Sequence, residues 1–178
     1  MIEGDFGEWQ ESQKMCQYNG YVCGVTTRYQ EDKGRREDNT AFNGISLECC
    51  DWEDKEDHFP QIKVVSNGFE GDLIRNFNCG KNKFACGMRA RYAAKGSNSD
   101  ETALNGLEVD CCDKYIWASH QTTVVNEGDF GDWQDSDTKC PNNYYVCGMS
   151  LREQPKETRW NSDNTAANGI KVSCCAKP

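Results

Sequence analysis

The feature that most restricts what this 178-residue chain can fold into is a fourteen-residue phrase written three times. "EDNTAFNGISLECC" runs from Glu37 to Cys50, "SDETALNGLEVDCC" from Ser99 to Cys112 and "SDNTAANGIKVSCC" from Ser162 to Cys175. The copies start 62 residues apart (37 to 99) and then 63 (99 to 162). The Asp, the Thr, the Ala, the Asn-Gly pair and both cysteines recur in every copy. Such a period marks a supersecondary unit that cannot bury its apolar face alone and is repeated so that the copies cover one another. We divide the chain into repeats of about 1–58, 59–118 and 119–178 within a single domain.

The twelve cysteines follow the same period. Each repeat carries four in one order: Cys16, Cys23, Cys49 and Cys50; Cys79, Cys86, Cys111 and Cys112; Cys140, Cys147, Cys174 and Cys175. Six residues separate the first two of each set and none the last two. Structural zinc sites favour two to four residues between paired thiolates, and adjacent residues on a strand point to opposite faces, so metal ligation is a poor fit. An even number of thiols in repeated register reads as six disulfides and an oxidising, extracellular compartment, with a leader removed ahead of Met1. A loop of the kind closed between the first and third cysteines stabilises by about 4 kcal/mol in the chain-entropy model.

The pattern inside each repeat is that of strands. "GISLECC" alternates, with Ile45, Leu47 and Cys49 on one face; Leu107, Val109 and Cys111, and Ile170, Val172 and Cys174, do the same. A second strand type surrounds the middle cysteine, in "YVCGVTTRY", "KFACGMRARY" and "YYVCGMSLR". A third, "QIKVVS" (Gln61 to Ser66) and "QTTVVN" (Gln121 to Asn126), precedes two of the repeats. The first has only Met1, Ile2 and Glu3 before Gly4, which reads as a trimmed N-terminus or as a sheet with an open edge. The phrase "D-x-T-A-x-N-G" reads as a loop folding back into the final strand, with Asn-Gly supplying a positive φ and Asp38, Asp100 and Asp163 acting first as turn acids. No useful helical period appears. Three copies of a few short antiparallel strands are expected to join around a threefold pseudo-axis, giving an all-β fold.

Hydrophobic residues make up 37% of the chain and charged ones 28%, with a formal net charge of -9. That charge argues against nucleic acid or an anionic membrane as partner, because both require clustered Lys and Arg, and it favours basic proteins. No apolar run approaches the roughly 20 residues that cross a bilayer.

These residues together, with "GDFGEWQ" (Gly4 to Gln10) and "GDFGDWQ" (Gly128 to Gln134) ahead of the first cysteine of two repeats, resemble the vitelline membrane outer layer protein family across the whole chain. The resemblance implies a β-prism of three four-stranded Greek-key sheets. Carried over by position, it also implies bridges Cys16 to Cys49, Cys79 to Cys111 and Cys140 to Cys174, leaving Cys23 with Cys50, Cys86 with Cys112 and Cys147 with Cys175. The second repeat departs from the pattern, having "GFEGDLIRN" with Leu73 where its sisters have Trp9 and Trp133.

Candidate chemistry is sparse. His58 and His120 read as linker residues with no partner at a telling spacing, and the sequence assigns no catalytic residue, metal or cofactor. The family is associated with transfer on N-acetylglucosamine oligosaccharides, for which carboxylate pairs are the usual machinery. Asp5, Glu8, Asp129 and Asp132 are the acids beside the aromatic positions. The acidic run from Glu48 to Asp57 lacks the oxygen spacing of a calcium loop. Stacking on sugars is better founded: Trp52, Trp117 and Trp160 do not repeat in register and are expected to be exposed, with Asp38, Asp100 and Asp163 as polar partners. Trp9 and Trp133 repeat and are expected to fill equivalent packing sites. The function expected is that of a secreted coat or secretion protein binding glycans or basic proteins, with lectin-like recognition and glycosyl transfer as alternatives. Alkylation without reductant should label none of the twelve cysteines in intact-mass spectrometry, and alkylation after reduction should label all of them; any free thiol in the untreated protein contradicts the assignment.

Overall fold

The computed structural model describes residues 2–3, 7–30, 41–53, 60–68, 71, 73–94, 103–134, 138–154 and 166–178. Their regular structure is entirely β. In chain order the strands are β1 (Ile2–Glu3), β2 (Glu8–Trp9), β3 (Lys14–Met15), β4 (Gly20–Tyr29), β5 (Phe42–Asp51), β6 (Gln61–Ser66), β7 (Leu73–Asn78), β8 (Lys83–Tyr92), β9 (Leu104–Asp113), β10 (His120–Glu127), β11 (Asp132–Trp133), β12 (Tyr144–Glu153) and β13 (Ala167–Ala176).

Three long antiparallel hairpins, β4 with β5, β8 with β9 and β12 with β13, form the frame. Each gains an outer strand beside its second member and another beside its first. The resulting orders are β6-β5-β4-β7, β10-β9-β8-β11 and β1-β13-β12-β2, with β3 also on β12. This is the Greek-key arrangement, in which a strand returns to lie beside the first. Strands β4, β8 and β12 pack against one another. The fold is a β-prism of three sheets around a pseudo-threefold axis.

The sheets are out of phase with the sequence repeats. Strands β6 and β7 complete the first sheet although they precede the second set of cysteines, and β10 and β11 do the same for the second sheet. The third is completed by the N-terminal arm, so β1, β2 and β3 share a sheet with β12 and β13. At the edge expected to lack a strand, two-residue β1 pairs Ile2 with Ile170 and Glu3 with Gly169.

This phase shift decides what the disulfides do, and all six pairs are those implied by the family resemblance. The amide of Cys16 donates to the Cys147 carbonyl, that of Cys79 to Cys23 and that of Cys140 to Cys86, each at 2.8 Å. Each of these cysteines therefore ends one sheet, while its disulfide reaches the next: Cys16 to Cys49, Cys79 to Cys111 and Cys140 to Cys174. The three bridges form a ring from third sheet to first, first to second and second to third. The other three, Cys23–Cys50, Cys86–Cys112 and Cys147–Cys175, lie within single sheets. Their first members fall where the register of the hairpin shifts, between Val22 and Gly24, Ala85 and Gly87, and Val146 and Gly148. A β-bulge at each of these cysteines redirects its side chain.

The apolar faces turn inward as the alternation requires. Ile45, Leu47, Leu107, Val109 and Ile170 are at most 1% exposed, and Cys49 and Cys111 share their cluster. Fully burying each such aliphatic side chain stabilises by about 2 kcal/mol. One expectation is corrected. Asn-Gly does not form the turn: Asn43 and Gly44, like Asn105 and Gly106, already lie in β5 and β9. The left-handed residue is the alanine before them, with φ of 46° at Ala41, 49° at Ala103 and 46° at Ala166. Buried Asn43, Asn105 and Asn168 stabilise that conformation by donating Nδ2 to the alanine carbonyl at 3.2–3.3 Å. The methyl of alanine is small enough to be buried there.

Removing the Cys16–Cys49 bridge by paired Ala substitution should lower stability by about 4 kcal/mol. It should also expose the Cys16 amide to hydrogen exchange ahead of the global rate, because that bridge anchors the N-terminal arm. Removing Cys23–Cys50 should leave that amide protected, as read by exchange mass spectrometry.

Candidate functional site

One end of the prism is closed by aromatic rings. Tyr21, Phe84 and Tyr145 occupy the same position in β4, β8 and β12, two residues before the middle cysteine. Their ring centroids lie 5.7, 5.8 and 5.9 Å apart, each pair edge to face. Trp52 sits against all three, 5.4 Å from Tyr21, 5.3 Å from Phe84 and 5.2 Å from Tyr145, and stacks on Phe84 at 13°. Trp117 meets Tyr145 edge-on at 5.0 Å. Edge-to-face and offset contacts at these distances follow the ring quadrupoles. The three intra-sheet disulfides pack in the same cluster.

Two grooves open beside this cap. One, of about 430 Å³, is lined by Trp117, Asp110, His120, Lys139 and Asn142 together with disulfide sulfur. Lys139 Nζ stands 3.8 Å from Asp110 Oδ2, and the Thr122 hydroxyl donates to Asp110 Oδ1. A part-covered indole flanked by a carboxylate, an amide and an ammonium can stack on a sugar face and bond its hydroxyls. The other groove, of about 590 Å³, lies between the first and second sheets and includes Lys114 and Tyr115.

Trp117 is thus the sequence-predicted site residue that the fold brings into a groove. Trp52, expected to be exposed, is partly buried as the plug of the aromatic cap. It does not repeat because only one side chain fits on a threefold axis. Trp160, Asp38, Asp100, Asp163, Asp5 and His58 lie outside the described residues. His120 is the first residue of β10 rather than part of a linker.

Glu8, Asp129 and Asp132 surround a structural clamp. Gly7 and Gly131, with φ of 76° and 77°, approach the strand ends so closely that a Cβ would lie 2.3 Å from the Glu153 carbonyl or 2.2 Å from Tyr92 O. Arg152 Nε donates to Gly7 O at 2.9 Å and Arg91 Nε to Gly131 O at 2.8 Å. The aromatic that follows is packed: Arg89 Cζ lies 5.3 Å from the Trp133 ring centroid. Gln10, which ends the first such motif, bridges sheets by donating to Val65 O and Glu153 Oε2, both at 2.8 Å. The triangle of Tyr21, Phe84 and Tyr145 is not among the expected site residues, although an aromatic at one column of all three repeats signals it.

The sequence profile of the family described as "Vitelline membrane outer layer protein I (VOMI)" matches residues 1–52 and 61–178. Among curated relatives, a vitelline membrane outer layer protein 1 homolog of Mus musculus is 26% identical over 174 residues, 97% of this chain and 80% of that protein. The Homo sapiens homolog of the same name is 28% identical, covering 97% and 79%. Among solved structures, Calystegia sepium agglutinin superposes with a TM-score of 0.58 at 9% identity, covering 98% of this chain and 93% of that one. Calsepa lectin in complex with a biantennary N-glycan gives 0.55 at 9% identity, with the same coverage. At that identity the likeness is one of fold.

The cap also contains the titrating groups that burial perturbs. Desolvation raises the Tyr21 phenol above its ordinary value, and desolvation, then the charges of Asp113 and Tyr21, raises Tyr145. The Tyr145 hydroxyl donates to Asp113 O at 2.9 Å and that of Tyr21 to Ala176 O. Unfolded phenols lose their protons near pH 10 while these two retain theirs, so the native state binds more protons and stability falls as pH rises past about 10. The denaturation midpoint should drop over that range, and Tyr145→Phe should flatten the drop. Alkaline absorbance titration should find Tyr21 and Tyr145 titrating late, each late step disappearing in the corresponding Phe variant.

Proposed function

This chain belongs to the vitelline membrane outer layer protein I family, and from that premise we propose that it is a secreted component of an extracellular coat or secretion that binds glycans. The observation that carries the reading is the 430 Å³ groove in which Trp117 stands with Asp110, His120, Lys139 and Asn142. Its walls are strands tied by disulfides, so little conformational freedom is lost on binding. Six bridges suit a single three-repeat body that must persist outside the cell. Basic extracellular proteins are a second class of partner, favoured by the net charge of -9. We assign no catalytic step to these residues.

Isothermal titration with N-acetylglucosamine oligosaccharides and a glycan array test the reading. A saccharide should bind at millimolar concentration or below. Trp117→Ala should weaken it about tenfold, equivalent to about 1.4 kcal/mol of lost stacking. Asn142→Ala, on an exposed loop, should weaken it with the melting temperature unchanged. Absence of binding to every saccharide on the array overturns the glycan reading, and shortened or lengthened oligosaccharides after incubation would replace it with glycosyl transfer.

A further inference from the structure

The groove between the first and second sheets contains a cation with bonding capacity to spare. Lys114 follows "Cys-Cys-Asp" in the second repeat as Trp52 does in the first, and it is only 8% exposed. Its Nζ donates to the Trp52 carbonyl at 3.2 Å and stands 5.0 Å from the Tyr115 ring centroid. An ammonium has three N–H donors, and one bond to the Trp52 carbonyl leaves two that can reach the oxygens of a ligand in the groove. The ion pairs among the described residues are Arg89–Glu108, Arg91–Glu127 and Lys139–Asp110, and none includes Lys114.

The surroundings point to what supplies the oxygens. Lys81, Lys83, Asn78 and Asn82 line the same groove, and neither lysine belongs to those ion pairs. Two acids, Asp51 and Glu53, also line it, so that among the described residues three cations stand against two anions, an excess of +1 in a protein of -9. Tyr115 is 72% exposed, and its backbone is pinned because the Tyr115 and Ile116 amides both donate to Asp113 Oδ1, at 2.8 and 3.0 Å. An exposed ring on a pinned backbone, beside a cluster of ammonium groups, suits a pyranose carrying an acidic substituent. We propose that this groove binds an anionic saccharide, a sugar bearing a sulfate ester or carboxylate, with the acid group against Lys114, Lys81 and Lys83 and the ring on Tyr115. The site is separate from the Trp117 groove and does not depend on neutral glycans binding there.

Calorimetric titration of the full chain with a sulfated disaccharide, its desulfated parent, a uronate-containing disaccharide and sodium sulfate decides the matter. At least one acidic disaccharide should bind about tenfold more tightly than the desulfated parent, an advantage that shrinks as added salt screens the charges. Which acidic disaccharide binds identifies the acid group. The double variant Lys81→Gln/Lys83→Gln, whose side chains make no ion pair among the described residues, should abolish the preference with an unchanged melting temperature. Lys114→Met, which keeps the aliphatic stem, should do the same. Tyr115→Ala should weaken the disaccharide and leave sodium sulfate unaffected, and Lys139→Gln in the other groove should change neither. Equal affinity for the acidic and desulfated sugars overturns the proposal, as does undiminished preference in a folded Lys81/Lys83 double variant. Loss of neutral-sugar binding in Trp117→Ala tests the other groove alone.

Discussion

Three disulfides close this prism. The ladder hydrogen bonds run within each sheet, and between sheets there are side-chain packing around the axis and scattered side-chain hydrogen bonds such as Gln10 to Val65 O, Tyr21 to Ala176 O and Tyr145 to Asp113 O. Cys16–Cys49, Cys79–Cys111 and Cys140–Cys174 supply the covalent connection at each of the three junctions. Each bridge starts from a residue whose amide is already bonded to the bulge cysteine of the preceding sheet, so one residue holds two sheets at once. In a chain only 37% hydrophobic, a cross-linked unfolded state offsets what a modest core leaves unstabilised. The arrangement also explains how the N-terminal arm, contributing three two-residue strands, is retained in the third sheet.

The pseudo-threefold axis imposes a second constraint, because any residue lying on it must be unique. Tyr21, Phe84 and Tyr145 can obey the symmetry since they surround the axis. Trp52 cannot, and the equivalent residue of the second repeat, Lys114, is turned to bond the Trp52 carbonyl instead. Breaking the symmetry at the cap gives neighbouring inter-sheet grooves different linings. One presents Trp117 beside Asp110 and His120, the other Tyr115 beside three lysines. The repeated residues build the frame and the unrepeated ones give it chemical individuality.

That division bears on recognition. The repeated "GDFG" motif, though rich in acids, is occupied with backbone geometry: a left-handed glycine pressed on a strand end and an arginine bonding its carbonyl. The grooves, by contrast, are walled by bulged strands whose cysteines are fixed by disulfides. Side chains mounted on such walls lose little conformational freedom when a ligand binds.

Much of the fold was legible in one dimension. Alternation identified the inner faces of β5 and β9, and the spacing of the cysteines called for six bridges, because period-two burial and even thiol counts depend on local order alone. The family resemblance supplied their pairing. What tertiary structure decided was the phase of the repeat: a period of 62 to 63 residues does not reveal whether a strand pairs with the hairpin behind it or ahead of it, since the hydrogen bonds are equivalent either way. It also decided that Ala41, Ala103 and Ala166, rather than the glycines, take the left-handed turn, because packing favours a buried methyl there. The partial burial of Trp52 was likewise invisible, since a position on a symmetry axis exists only once three copies have assembled around it.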